Sequence, residues 1–433
     1  MSQQTDSQTN EPIADSPADR HRAALNNVDG LDDMARCPLM PTYGPPSVQF
    51  VRGSGAYLWD SHDKKYLDFL SGLAVTSLGH AHPAIAEALA TQATRLLHVS
   101  NLYATEHNGH VAMALDRAIG DGSPAGGQSF FCNSGAEANE AAIKLARRHG
   151  GPGKHVVVCA FQSFHGRTLA TLAATGQPAK WDAFAPLPEG FKHVIWDDLE
   201  ELEKLLDETV AAVFLEPVQG EGGVNPATVE YFQGVEALCR ERGILFMVDE
   251  VQTGLARTGR WFGFQHFGVS PDVVTMAKAL GNGVPIGACW AKAEVAASFS
   301  PGDHATTYGG QPLATSAARA VLETMEAIDA PTLSTVAGEK LTKAMLALPS
   351  VTGVRGLGLL LAVELEGVNA PAVAADCLAA GLVVNGVTPT AIRMAPPLII
   401  EDAHIAEAAA ILGSVLEQHI AASKDPASKD PAS

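Results

Sequence analysis

The chain of 433 residues is 46% hydrophobic and only 18% charged, which excludes a disordered chain and provides for one large and one small domain. Lys+Arg 29 against Asp+Glu 48 gives a net charge of −19, which argues against nucleic acid and anionic membranes as partners. The six cysteines (Cys37, Cys132, Cys159, Cys239, Cys289, Cys377) form no C-x-x-C pair, no stretch suits a bilayer, and the start lacks the regions of a signal peptide, so reduced core cysteines in a cytoplasmic protein are expected.

Residues 1–25 are polar and are expected to form a disordered tail. Residues 55–60 and 65–69 read as a hairpin, in a segment 26–75 assigned to the smaller domain. From 76 to 328 apolar strands alternate with helices. Strands are expected at 129–132, 155–160, 211–215, 244–248, 273–277 and 286–291, and helices at 136–148, 199–206 and 229–242. That alternation predicts a large α/β domain with a mostly parallel sheet, in which ligands bind beyond the carboxyl ends of the strands. An alanine-rich helix follows at 313–328, with Pro312 in its first turn. A smaller α+β domain is expected over 329–421, with a turn and strand at 353–364, short strands at 381–384 and 391–394, and a closing helix at 403–420. The repeated Ser-Lys-Asp-Pro-Ala marks 422–433 as a second tail.

The chemistry-bearing motifs follow strand ends. Lys278 ends the apolar run 273–277. An ammonium there is poorly solvated, which favours the neutral amine, a nucleophile able to form a Schiff base with an aldehyde. Asp249 ends the run 244–248, where its carboxylate can pair with a pyridinium nitrogen. A Schiff-base lysine with an acidic partner is the pairing expected for pyridoxal 5'-phosphate (PLP).

Weaker signals surround these two. Ser134 and Glu137 have capping-box spacing, and Gly135 and Ala136 let an anion approach the helix start, although an ordinary capped helix has the same pattern. Phe164 can stack on a flat ring and Arg167 can clamp a carboxylate, or they are a core Phe and a surface Arg. Glu216 and Glu221 flank a glycine-rich turn, and the downstream lysine argues against a glycosidase pair. Thr306 and Thr307 precede the alanine-rich helix, where hydroxyls can reach a phosphate or only cap the helix. His80 and His82 lack a third metal ligand, so a structural loop is expected and no metal site. No nucleotide phosphate loop, dinucleotide fingerprint or G-x-S-x-G is present.

Six motifs occur in one order: Ser-Gly-Ala-Glu-Ala-Asn at 134, Phe-His-Gly-Arg-Thr at 164, Glu-Pro-Val-Gln-Gly-Glu-Gly-Gly at 216, Asp-Glu-Val-Gln-Thr-Gly at 249, Ala-Lys-Ala-Leu-Gly-Asn-Gly at 277 and Thr-Thr-Tyr-Gly-Gly-Gln-Pro at 306. As a set they resemble the class III (ω-amino) aminotransferases of the type I PLP fold, over roughly 40–420. Gln311 stands where the family more often has Asn. The stretches 100–106 and 381–397 look most like the acetylornithine-using members. The resemblance implies a large domain with a seven-stranded-type sheet. It implies Lys278 holding PLP and moving the proton, Asp249 on the ring nitrogen and Gln252 on the ring hydroxyl. Phe164 and Val251 would flank the ring, Ser134, Gly135 and Ala136 would hold the phosphate, and Thr307 would reach in from a partner subunit of a homodimer. It further implies Arg167 on a remote carboxylate, Arg393 on a near one, and Glu221 masking Arg393. The implied substrates are N-acetylornithine and 2-oxoglutarate, in arginine biosynthesis. Ornithine, succinylornithine or 4-aminobutyrate transamination, a mutase on the same fold and a non-catalytic PLP-fold protein are the alternatives.

Overall fold

The computed structural model describes residues 40–424. The expected tail 1–25, the start of the 26–75 segment, residues 425–433 and Cys37 lie outside the described residues. The described chain groups into two units, residues 40–52 with Trp59–Lys64, and Gly53–Leu58 with residues 65–424. In the smaller unit the Arg52 guanidinium sits 3.9 Å from the Trp59 ring centroid, and Ser61 N–H donates to Gln49 O. Both strands of the expected hairpin form, Tyr57–Asp60 and Lys65–Asp68, after an unexpected strand Phe50–Ser54.

The larger unit is built on a seven-stranded sheet. Its spatial order is Gly127–Cys132, Gly287–Lys292, Val273–Met276, Leu245–Asp249, Val210–Leu215, Val156–Ala160, Phe191–Val194. Every pairing from Val273–Met276 to Phe191–Val194 is parallel. Gly287–Lys292 runs antiparallel to both neighbours. The link from Met276 to Gly287 is too short for a parallel crossover, which needs a dozen or more residues, so the strand returns antiparallel.

Alternation along the strands sends side chains into cores on both faces. Leu245 and Met247 join Ala141, Ala142 and Leu145 of the helix Gly135–Gly150. Phe246 and Val248 join Phe232 and Val235 of the helix Val229–Arg242, in a cluster that also holds Ala317 and Val321 of the helix Pro312–Ala327. Burial on both faces explains why these strands read as continuous apolar runs.

A second sheet is antiparallel, in the order Val351–Leu357, Leu360–Leu365, Ala391–Met394, Asn385–Thr388. Where a turn and one strand were expected over 353–364, there are two strands joined by the turn. The chain reverses around Gly358, whose φ of +53° is the left-handed conformation that glycine tolerates. Gly353 and Gly356 hide the first of these strands from a period-based reading. The closing helix, Asp402–Lys424, runs past its expected end at Ile420.

Candidate active site

Five loops that follow strands of the seven-stranded sheet, one of them leading into the helix Gly135–Gly150, all open on one cavity of about 390 Å³. Ser134, Gly135, Ala136, Phe164, Arg167, Glu216, Glu221, Asp249, Val251, Gln252 and Lys278 line it. Residues expected from separate motifs, spread over more than a hundred positions, therefore share one wall.

At one end is the start of the helix Gly135–Gly150. Ser134 Oγ accepts from Glu137 N–H at 3.2 Å, and the Glu137 carboxylate accepts from Asn133 N–H. The cap is thus a variant of the expected capping box, shifted one residue back on the second bond. A sixteen-residue helix presents unpaired N–H groups and a positive dipole end here, which suits an anion. Gly135 is required by crowding, because a Cβ there would come within 2.8 Å of the Val251 methyls.

At the deep end is Asp249, the buried last residue of its strand. Its Oδ2 accepts from Asn139 Nδ2 at 2.8 Å and contacts His165 Nδ1 at 2.9 Å, and its Oδ1 accepts from Val251 N–H at 3.0 Å. His165 is stacked on Phe214 with ring centroids 4.4 Å apart, and Asn139 Nδ2 also donates to His165 O. Asn139 and His165 stand in the motifs at 134 and 164, but nothing in the sequence reading gave them a role. The signal was a lone polar side chain on the buried alanine face of Ala138, Ala141 and Ala142.

Lys278 follows the Val273–Met276 strand with φ +43°, a left-handed conformation unusual for a side chain that is not glycine. Burial pushes its ammonium down to about 8, against the pull of the Glu221 carboxylate. The expected poorly solvated amine is present. Glu216 is also buried beside the cavity, accepting from Phe164 and Gly220 N–H, and burial with the nearby Asp249 charge pushes its carboxyl well up.

Arg393 comes from the second sheet and is 1% exposed. Its Nη1 bonds Glu221 Oε1 at 2.5 Å, Gly220 O at 3.2 Å and Gln252 Oε1 at 3.3 Å, and its Nη2 bonds Asn385 Oδ1 at 3.0 Å. Burial works to raise the Glu221 carboxyl, but the Arg393 charge and hydrogen bond outweigh it and hold it low. Arg167 is exposed on the cavity wall, its Cζ 5.6 Å from the Phe164 ring centroid. Thr307 does not line this cavity. It lines a separate small one with His98, Ser100 and Asn101.

No group of three metal-ligating side chains occurs among the described residues. His80 Nε2 bonds Asp68 Oδ2 at 2.7 Å and His82 sits at the N-cap of the helix Pro83–Ala93, so both serve the loop. The five described cysteines are free and buried.

A helix start for an anion, the Phe164 ring and the Val251 side chain lining the same cavity, a buried carboxylate for a protonated nitrogen and a desolvated amine together fit pyridoxal phosphate. The comparisons agree. An acetylornithine aminotransferase of Gloeobacter violaceus is 48% identical over 386 residues, covering 87% of this chain and 95% of that protein. One of Methanocaldococcus jannaschii is 44% identical, covering 84% and 92%. The ornithine aminotransferase structure of Toxoplasma gondii, described with partial occupancy of PLP, superposes with a TM-score of 0.87 at 30% identity, covering 95% of this chain and 100% of that one. Residues 40–416 match the family model for aminotransferase class III, and with Lys278 and Asp249 facing one cavity the chain belongs to the class III aminotransferases, with pyridoxal phosphate as its cofactor.

Proposed function

We propose that the protein moves the terminal amino group of N-acetylornithine to 2-oxoglutarate, giving N-acetylglutamate semialdehyde and glutamate, a step of arginine biosynthesis. The observation that carries this reading is the unequal state of two arginines. Arg393 is buried and paired with Glu221, while Arg167 stands on the cavity wall without a carboxylate partner among the described residues. N-acetylornithine reacts at its terminal amine and keeps its carboxylate far from the reacting carbon, so it needs the outer cation and not the inner one. Glutamate reacts at its α-amine and brings a carboxylate close, so it needs Arg393 uncovered. Support also comes from the acetylornithine aminotransferase relatives, at 44–48% identity against 30% for the ornithine enzyme.

Bound PLP supplies an electron-withdrawing ring that acidifies the carbon bearing the amine. The chain supplies the rest. The Lys278 amine would carry the cofactor and move the proton at that carbon, and Asp249, positioned by Asn139 and His165, would hold a proton on the ring nitrogen. Phe164 and Val251 would shield the ring from water, Gln252 would orient its hydroxyl, and Ser134, Gly135 and Ala136 would bind the phosphate. Arg167 also serves the second carboxylate of 2-oxoglutarate.

The half-reactions test this, followed one at a time by stopped-flow absorbance. Arg393→Ala should slow the glutamate half by roughly a hundredfold, the expected cost of a bidentate charged contact, and spare N-acetylornithine. Arg167→Ala should chiefly slow N-acetylornithine. Glu221→Ala should admit α-amino donors more readily. Equal slowing of both halves by Arg393→Ala, with no effect of Glu221→Ala, would defeat the two-carboxylate scheme. Higher kcat/KM for ornithine, succinylornithine or 4-aminobutyrate than for N-acetylornithine would replace the substrate.

The site is proposed to be completed by Thr307 of the partner subunit in a homodimer. In support, exposed Leu97, Leu102, Tyr103 and Tyr308 lie along the segments beside Thr307, and Asn101 Nδ2 ties those segments together through Gly309 O. Thr307→Ala should weaken PLP binding roughly tenfold, the loss of one hydrogen bond to a charged group. Hybrids of Thr307→Ala with Lys278→Ala subunits should regain one site of ordinary PLP affinity. Hybrids without such a site would place Thr307 outside the partner's cavity.

A further inference from the structure

A second cation stands beside Arg167. Lys180 closes the short turn Pro178–Lys180. The turn is anchored by Gln177 Nε2, which donates to Ser163 O at 2.9 Å, and by Trp181 Nε1, which donates to Thr175 O at 2.9 Å. Ser163 is buried and immediately precedes Phe164. The Lys180 ammonium in turn donates to Gln177 Oε1, so its position is fixed by the same anchor. It lies 5.3 Å from the Phe164 ring centroid, and Arg167 Cζ lies 5.6 Å from that centroid.

Two cations thus share one aromatic ring of the cavity wall. In a chain with 48 acidic residues, no carboxylate is hydrogen-bonded to either among the described residues. Glu221 attracts Lys180 at longer range, but its oxygen is committed to Arg393 at 2.5 Å. Burial and the neighbouring Arg167 charge both disfavour the Lys180 ammonium. Like charges held together in this way repel, and an anion placed between them removes the repulsion.

We propose that Lys180 is a specificity-determining residue which, with Arg167, recognises the carboxylate at the end of the amine donor remote from the reacting amine. The proposal rests on the N-acetylornithine reading and adds to it a residue outside the family motifs named above. It selects donors by the presence of that carboxylate, not by the acyl group.

The test compares N-acetylornithine with N-acetylputrescine, the same donor without the carboxylate, on the holoenzyme. Lys180→Met should lower kcat/KM for N-acetylornithine about tenfold, mainly through KM, as for a partly exposed charged contact. N-acetylputrescine should be used as by the unchanged enzyme, and Lys180→Arg should restore most of the loss. Equal losses on both donors would mean Lys180 only supports the fold. No loss on either would put it out of reach of the substrate, and both outcomes overturn the proposal. If the unchanged enzyme ignores N-acetylornithine, the substrate reading fails. Lys180 is then judged by the same split between 4-aminobutyrate, which keeps a remote carboxylate, and butylamine.

Discussion

Lys278→Ala should fold as the unchanged protein does and lose at least about 10⁴-fold in turnover, because in the proposed reading it removes both the covalent anchor of the cofactor and the group that moves the proton. Lys278 is the one lysine among the residues lining the cavity. Cofactor binding should weaken without vanishing, since the proposed phosphate and ring contacts would remain. Borohydride trapping of the bound cofactor followed by peptide mapping should mark Lys278, and a mark on another lysine would overturn the assignment. The reaction of cofactor-free protein with PLP carries a pH signature. With the ammonium pushed down to about 8, the reactive neutral amine is the minor form below that pH and the major form above it. Capture should therefore slow about tenfold for each pH unit below 8 and level off above it. A profile that kept rising to the ordinary lysine range near 10 would show that burial does not set this amine.

Asp249→Asn should cost on the order of 10² to 10³ in rate, the range found when one preorganised electrostatic contact to a developing charge is removed. The substitution keeps the shape and removes the charge. Asn139 Nδ2 and Val251 N–H both donate to the carboxylate, so an amide there must turn one nitrogen against a donor. The loss should fall on kcat far more than on PLP affinity, because the negative charge matters most when electrons move into the ring. Titration of cofactor binding beside single-turnover kinetics separates the two. A rate within a few-fold of the unchanged protein would assign the acid to another residue. Glu216, pushed well above the usual carboxylate range by burial, would then be the next group to test.

Much of this protein was legible before folding was considered. The helix Val229–Arg242 and the strand Ala391–Met394 fall where the apolar period puts them, and most other expected boundaries moved by a residue or two, the closing helix ending four residues later. Lys278 and Asp249 stood out because each ends an apolar run and carries a charge at the point where a buried strand must stop. The strand Val351–Leu357 was missed because Gly353 and Gly356 within it are residues that ordinarily mark a turn. Asn139 and His165 were missed because their role depends on Asp249, 110 and 84 positions away in the chain.

The sequence by itself determined the strand and helix order, the α/β class and the residue types that line the cavity. These follow from caps, glycine and hydrophobic period, which act within a few residues. The tertiary structure alone decided the order of strands across the sheet, the pairing of Arg393 with Glu221 from a second sheet, and the place of Lys180 beside Arg167. It also decided the lowered ammonium of Lys278, which burial sets and the charges of Glu221 and Arg393 adjust. Charge interaction and desolvation depend on distance in space and on the surrounding medium, and neither is written in the spacing of residues along the chain.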